Sequence, residues 1–502
     1  MSLNMNIDCV RFLGLFAVLS AGSVFGQVRP ASVFNNNMVL LRDRKVPVWG
    51  MAECGEKVVV SFGDQTIEGH AGADGCWRVE LAPMHASNVP QTLTIGELSF
   101  TNVVVGEVWL CSGQSNMSLR LWSRPSVGQH AGRETDGYLD SLITDIPDVR
   151  GCTVPCRWGV EERTELDSPL EWQPFHAGTQ REFSAIAFHY AVILHMALRV
   201  PVGVVVAAWG GSSIEPWISP SGYRSVPTLA KFADSKLVNS KDGKIASDEE
   251  DQRNPSASKG GKKKHVYPSQ HRILWNTMVR PIVPFAIRGV LWYQGEANRA
   301  MGLRYCDYLE ALWNGWAKAF ECPRLSFYLA QLAPYCYDAK HPLRDCEIWM
   351  AQEKFAREHA FAGMATTIDL GEGDNIHPCR KRSVAMRFAA LALNRDYGRK
   401  DIPCDAPEVS SWSIDKGSVI LRFDHVRKWW RCGIERPGEF ELAGEDGVFR
   451  PAKVSYGVAS LAVTCNSVEK PIALRYLWSW LSEGKIKNEY GLPVPPINIR
   501  LK

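Results

Sequence analysis

The chain has 502 residues, of which 45% are hydrophobic and 22% are charged, and its formal net charge is +3. This composition is typical of a globular protein with roughly two to four domains. So small a net charge on so long a chain argues against nucleic acid or an anionic membrane surface as the partner.

The first residues have the three parts of a secretory signal peptide. Arg11 precedes an apolar run over 12–19, and a segment rich in small residues follows over 20–26. This order predicts a signal peptide over 1–26, and the apolar run is too short to span a bilayer. The alternative is a buried helix in a cytosolic protein. We expect the mature chain to be exported, to the periplasm or the extracellular space, and to contain no membrane span.

Short strands separated by turn signals follow. They are predicted at 38–41, 46–49, 57–62 and 77–81. Their spacing predicts an N-terminal β-sandwich-like domain over 27–102. Export also permits disulfides, and Cys152 and Cys156, further along the chain, are close enough in sequence to pair.

From residue 103 apolar runs alternate with helical segments. Buried strands are predicted at 103–110, 202–208, 287–292, 325–332 and 364–370, and helices at 184–198, 308–319 and 380–394. The alternation predicts an α/β domain over 103–398 with a parallel sheet, which binds ligands beyond the carboxyl ends of its strands. Polar segments near 122–180 and 225–270 are expected to be insertions or lid-like loops.

After about residue 399 the chain returns to short strands. They are predicted at 418–423, 440–442, 453–456 and 460–464. The sequence therefore predicts a β-rich C-terminal region over 399–502.

A candidate nucleophile lies just after the first buried strand. Gly113 permits a tight turn, and Ser115 follows it at the carboxyl edge of the sheet, where a nucleophile is accessible. Met117 stands where the Gly-x-Ser-x-Gly elbow of α/β-hydrolases has its last glycine, so the turn is not of that type. Taken alone, Ser115 would more often be a helix N-cap.

A candidate base lies in a glycine-containing loop before a helix. Asp374 and His377 are three residues apart. The carboxylate can accept a hydrogen bond from one imidazole nitrogen while the other nitrogen takes the serine proton. Taken alone, the pair would more often be a surface turn with an N-cap aspartate.

Two further strand ends carry groups suited to an oxyanion. Gln294 or Asn298 can donate an amide N–H, and the glycine pair Gly210 and Gly211 can bring a backbone N–H close to a substrate. Each site alone is also an ordinary strand-to-loop turn. Four strand ends with groups suited to acyl transfer are a stronger signal in combination.

Five segments resemble a known family: 46–50, 106–117, 209–217, 292–298 and 374–378. Together they are similar to the sialate O-acetylesterase family of the SGNH/GDSL hydrolases. The resemblance implies a flavodoxin-like three-layer α/β/α domain of the SGNH type with β-rich accessory domains. It also implies Ser115 as nucleophile and His377 as a base oriented by Asp374.

The family pattern also implies the surroundings of these residues. The oxyanion donors are expected to be the Ser115 N–H, a glycine of the 210/211 pair, and an amide, with Gln294 favoured over Asn298. The residues expected near the substrate are Gln114, Asn116, Trp209, Trp292 and Glu296. Glu296 is also expected to brace the loops of the site.

The implied function is a serine esterase that hydrolyses O-acetyl esters of sialic acids or sialylated glycans through an acetyl-Ser115 intermediate. The mechanism requires no metal or organic cofactor. A close alternative is the same chemistry on acetylated xylan or another polysaccharide. An alternative of another class is a carbohydrate-binding protein that has lost the reaction. The sequence carries no signal for an oligomeric state.

Overall fold

A computed structural model of the protein describes residues 28–121, 145–176, 179–237, 269–431 and 439–501. The expected signal peptide lies outside the described residues. Parts of the two expected insertions, 122–144 and 238–268, lie outside them as well. Among the described residues, no helix combines the length and the apolar character needed to cross a bilayer.

The strands and helices are numbered in chain order. Strands β1 to β24 are Arg29–Pro30, Val39–Leu41, Val46–Met51, Lys57–Phe62, Gln65–His70, Cys76–Leu81, Ser87–Ile95, Leu98–Gly113, Ile146–Thr153, Gln173–Phe175, Val202–Ala208, Gly289–Tyr293, Ser326–Ala330, Ala362–Ala365, Glu408–Asp415, Ser418–Asp424, Trp429–Arg431, Phe440–Ala443, Phe449–Pro451, Lys453–Gly457, Ser460–Thr464, Ala473–Tyr476, Ile486–Asn488 and Ile497–Arg500. Helices α1 to α6 are Ser115–Ser118, Ala185–Leu198, Pro220–Ser225, Tyr305–Ala319, Glu347–Glu358 and Lys381–Arg395. Short 3-10 segments are Thr179–Glu182, Glu215–Trp217, Ala230–Phe232, Arg280–Ile282 and Glu296–Arg304, and Trp275–Val279 is a π-helical turn.

The central sheet has the strand order β10-β9-β11-β8-β12-β13-β14. Its six strands from β9 to β14 in that order run parallel, and β10 is antiparallel at one edge. The predicted α/β class is confirmed, with a sheet that is mixed. Because the parallel strands all end at one edge, the loops after β8, β11, β12, β13 and β14 meet there.

The sheet is covered on both faces by helices. Along β8, Val108 and Leu110 point into one apolar cluster and Trp109 and Cys111 into another. The first cluster includes the apolar sides of α4 and α5, and the second includes those of α2 and α6. A strand buried on both faces reads as a continuous apolar run, which is why these strands were predictable.

Strand β8 belongs to two β regions at once. Its first half pairs with β2 and β7, and its second half lies between β11 and β12 in the central sheet. The boundary expected between residues 102 and 103 falls inside this 16-residue strand.

The expected insertion over 122–180 differs from the structure, because β9 and β10 lie within it and belong to the central sheet. Arg150 in the middle of β9 is only 2% exposed. Its guanidinium donates to the backbone oxygens of Pro147 and Asn37, at 3.0 Å each, and to Asn102. An arginine satisfied by carbonyl oxygens interrupts the apolar run, so the sequence pattern did not predict a strand.

No disulfide joins Cys152 to Cys156, whose thiol donates to Ala208 O at 3.6 Å.

The C-terminal β-rich region contacts the loops at the carboxyl edge of the central sheet. The Trp480 ring lies 4.9 Å from that of Tyr337 and 4.2 Å from that of Trp349, between centroids. Lys487 Nζ lies 2.6 Å from Oδ2 of Asp369. This region therefore packs against the segment that leads from β14 into the loop of His377.

Candidate active site

The turn that carries Ser115 is fixed by both neighbouring strands. Gly113 has φ +133°, and a methyl group on it would lie 2.1 Å from the oxygen of Tyr293, so only glycine fits. The Gln114 N–H donates to Tyr293 O at 2.9 Å, and the Trp209 N–H donates to Gly113 O at 3.0 Å. Ser115 then begins α1 with its side chain partly exposed.

The histidine loop is closed by its own polar groups. Glu372 accepts hydrogen bonds from the Cys379 N–H and from Asn375 Nδ2, both at 2.8 Å. Asn375 Oδ1 in turn accepts from the His377 N–H at 3.0 Å. This arrangement brings His377 Nε2 to 2.9 Å from Ser115 Oγ. Two residues 262 positions apart therefore form a hydrogen-bonded nucleophile–base pair.

Asp374 is not in contact with this pair. Its side chain is exposed. The His377 ring hydrogen-bonds with Ser115, and within the described residues no hydrogen bond or ion pair joins the ring to Asp374. The structure thus brings two of the three expected catalytic residues together.

The environment of His377 favours a neutral imidazole. Burial lowers the pKa of His377 to about 4, and the nearby Lys381 ammonium contributes in the same direction. Both effects disfavour the protonated ring. At neutral pH, Nε2 can therefore accept the proton of Ser115.

The backbone of the loop after β11 lies close to the serine. A methyl group on Gly210 would come within 3.6 Å of Ser115 Cβ, so the loop after β11 runs directly past the nucleophile. The loop turns at Gly211, where φ is +73°. The N–H groups of Ser115, Gly210 and Gly211 donate to no acceptor in the described part of the chain. They are suited to hydrogen bonding with a developing oxyanion.

The two candidate amides are committed to protein partners. Gln294 Nε2 contacts Asn298 Oδ1 at 2.6 Å, and Ser212 O and Gln114 Oε1 at 3.2 Å each. Asn298 Nδ2 donates to Glu215 Oε2 at 2.9 Å. Both amides are buried. They brace the loops after β8, β11 and β12, and the structure gives no support to either of them as an oxyanion donor.

Of the residues expected near the substrate, Trp209 is accessible. Trp292 is fully buried, with its ring 6.2 Å from that of Trp217. Asn116 and Glu296 are also buried, and Asn116 Nδ2 donates to Glu296 Oε1 at 2.5 Å. Gln114 is buried too, and its Oε1 accepts from Gln294 Nε2 at 3.2 Å. Sugar contact remains a prediction for Trp209, whereas the other four side chains contact protein.

The site contains two polar residues that the sequence analysis missed. Glu372 closes the histidine loop, and Lys381, 2% exposed, donates from Nζ to Asn116 Oδ1 at 2.5 Å. Lys381 opens α6, where a lysine would ordinarily be solvated, so no sequence signal identifies it. The described residues contain no group of three or more His, Cys, Asp and Glu side chains placed to hold a metal ion.

Known proteins resemble the chain in sequence. No protein-family model matches the chain. The sequence is similar to the sialate O-acetylesterase of Rattus norvegicus, 28% identical over an alignment of 551 positions that covers 97% of each chain. It is also similar to that of Homo sapiens, 27% identical over an alignment of 540 positions that covers 96% of this chain and 94% of the relative.

A solved structure extends the likeness to the fold. A carbohydrate acetylesterase from Xanthomonas citri superposes with a TM-score of 0.79 at 26% identity, over 95% of this chain and 100% of that one. These similarities confirm the resemblance indicated by the motifs. The chain is a carboxylic ester hydrolase that is similar along nearly its whole length to proteins named sialate O-acetylesterase.

Proposed function

We propose that the protein is a serine esterase that removes acetyl groups from sugar hydroxyls, with acetylated sialic acids and sialylated glycans as substrates. The observation that carries the proposal is the 2.9 Å contact between Ser115 Oγ and His377 Nε2. The Gly210 backbone beside the serine supports it, as do relatives named sialate O-acetylesterase. We further assign the α/β domain to the three-layer SGNH type.

The proposed mechanism has two half-reactions. Ser115 Oγ attacks the acetyl carbonyl carbon while its proton passes to His377 Nε2, and the negative charge forms on the carbonyl oxygen. The backbone N–H groups of Ser115 and Gly210 stabilise that charge. As the C–O bond to the sugar breaks, the sugar oxygen takes the proton from Nε2. Water then attacks acetyl-Ser115, His377 again relays the proton, and acetate leaves.

We keep Asp374 as the proposed orienting acid for His377. Its exposed carboxylate has room to turn, and catalytic hydrogen bonds are often completed only when substrate binds. Asp374→Asn should then lower kcat by roughly two to four orders of magnitude, as for loss of an orienting carboxylate. If kcat is unchanged, Ser115 and His377 act as a dyad.

A second candidate substrate class is acetylated xylan or another neutral polysaccharide. The structure from Xanthomonas citri is described only as a carbohydrate acetylesterase, which supports this alternative with the same chemistry. A carbohydrate-binding protein without activity would have no need for the contact between Ser115 and His377.

Acetate release tests these substrates directly. The panel is 9-O-acetylated sialic acid, acetylated xylan and simple sugar acetates, and we expect the sialic acid ester to have the highest kcat/KM. Ser115→Ala should abolish hydrolysis and leave thermal unfolding unchanged. Ser413→Ala, at an exposed serine on β15, is the matched control. Full activity of Ser115→Ala would remove the nucleophile assignment.

We also infer that the protein acts outside the cytoplasm, as the sequence over 1–26 suggests. N-terminal sequencing of protein recovered from a periplasmic or culture fraction tests this inference. Recovery only from the cytoplasm, with residue 1 retained, would contradict it.

A further inference from the structure

Three buried polar residues lie behind the nucleophile, outside the catalytic pair itself. Asn116 and Lys381 are each 2% exposed and Glu296 is 5% exposed. Burial of charged groups is unfavourable unless they are paired and hydrogen-bonded. Their contacts therefore show what this cluster does.

The Asn116 amide bridges the two charged groups. Its Nδ2 donates to Glu296 Oε1 at 2.5 Å, and its Oδ1 accepts from Lys381 Nζ, also at 2.5 Å. Of the two ends of the Asn116 amide, only the nitrogen can donate to a carboxylate oxygen, and only the oxygen can accept from an ammonium. The Glu296 oxygen and the Lys381 ammonium thus fix the orientation of the amide.

The same amide also joins the two loops of the catalytic pair. Asn116 Nδ2 lies 3.1 Å from the backbone oxygen of Ile376. Asn116 directly follows Ser115, and Ile376 directly precedes His377. One oriented amide therefore connects the nucleophile turn to the histidine loop, one residue away from each reacting side chain.

We propose that Lys381 and Glu296 are positioning residues that act through Asn116 to hold Ser115 Oγ and His377 Nε2 at reacting distance. A displacement of about 1 Å between reacting groups can lower a rate by about 100-fold. The activity measurements below rest on the proposed esterase function, whereas the titration does not.

The ammonium also acts on the base electrostatically. The titratable and charged groups on the adjoining segments are Glu372, Asp374 and Arg380 on the histidine loop, Lys381 at the start of α6, and Glu296 in the segment after β12. Lys381 adds to the lowering of the His377 pKa, after burial. Removal of the ammonium is therefore expected to raise the pKa of His377, and an arginine in its place is expected to keep it low.

Matched variants separate positioning from folding. Lys381→Met removes the ammonium, and Lys381→Arg retains a positive donor. Glu296→Leu removes the acceptor for the amide, and Glu296→Gln retains one. Lys354→Met, at an exposed lysine on α5, is the control for the loss of a lysine.

Two measurements apply to each variant. The first is kcat and KM for an aryl acetate. The second is an NMR titration of histidine ring signals without substrate, in which the His377 signal is the one missing from His377→Gln. Thermal unfolding shows that each variant is folded.

We expect Lys381→Met to lower kcat by about 10- to 100-fold with KM changed less than about twofold, and to move the His377 midpoint upward. Lys381→Arg should recover part of kcat and keep the midpoint low. Glu296→Gln should retain more kcat than Glu296→Leu. Lys354→Met should match the unaltered protein in both measurements.

Opposite results overturn the proposal. It is wrong if folded Lys381→Met keeps kcat and the His377 midpoint of the unaltered protein. If Lys381→Met does not fold, the conservative variants decide. The proposal is then wrong if Lys381→Arg has no activity, or if Glu296→Gln has no more activity than Glu296→Leu. A shifted midpoint in a protein without esterase activity would refute the proposed function and leave the effect of Lys381 on His377 intact.

Discussion

The pH dependence of hydrolysis tests the environment of the catalytic histidine. Only the neutral imidazole can accept the Ser115 proton, so the rate should follow the neutral fraction of His377. Burial and Lys381 lower the pKa of this ring to about 4, from an ordinary value of 6.5. Because the pKa is lowered, activity should rise through about pH 4 and then stay level to neutral pH.

The size of the effect follows from these two values. At pH 5 a ring with a pKa of about 4 is roughly 90% neutral, whereas an ordinary histidine is roughly 3% neutral. The fraction of the neutral-pH rate that is retained at pH 5 should therefore be about 30-fold larger than for an enzyme whose catalytic histidine has the ordinary pKa. The assay is kcat/KM for acetate release from pH 3.5 to 8, in a range where the fold is stable. A half-maximal rate near pH 6.5 would refute the account of a buried base beside a cation.

Three substitutions test the scaffold of the site. Gly113→Ala places a methyl group 2.1 Å from Tyr293 O at φ +133°, so we expect a loss of about 2 kcal/mol or more in urea unfolding together with loss of acetate release; normal activity would contradict the need for glycine. Asp369→Asn removes the charge that faces Arg387 at 2.7 Å, and the free energy of unfolding should fall by about 3 kcal/mol, as for a broken buried ion pair; an unchanged urea midpoint would argue against that pair. Trp480→Ala should cost about 3–5 kcal/mol, because the ring is 2% exposed, and a loss under about 1 kcal/mol would mean that the C-terminal region is only loosely attached.

The central strands were the most predictable part of the fold. The predicted strand over 202–208 is confirmed at Val202–Ala208, because a strand buried on both faces is apolar throughout. Strand β9 was not predicted, because it contains Arg150. This arginine can be buried only because it donates hydrogen bonds to backbone oxygens that are distant in sequence. Such bonds depend on tertiary contacts that no local pattern encodes.

The site divides in the same way. Ser115 and His377 follow strands that end at one edge of the sheet, so their approach could be inferred from strand order. The roles of Gln294, Asn298 and Lys381 could not be inferred, because the direction of an amide or an ammonium depends on its rotamer and on residues from other loops. Composition identifies the groups that are available, and packing decides which of them face the nucleophile.

A single strand, β8, connects the nucleophile to the N-terminal β region. At one end it leads into the Ser115 turn, and at the other it is paired with β2 and β7. A protein trimmed to begin at residue 103 would lose the start of β8, and the rest of the strand would lose β2 and β7 as partners. The strand that carries the reactive hydroxyl is thus paired in both the N-terminal β region and the central sheet. Engineering that exchanges or removes the N-terminal β region would therefore also disturb the chemistry at the edge of the central sheet.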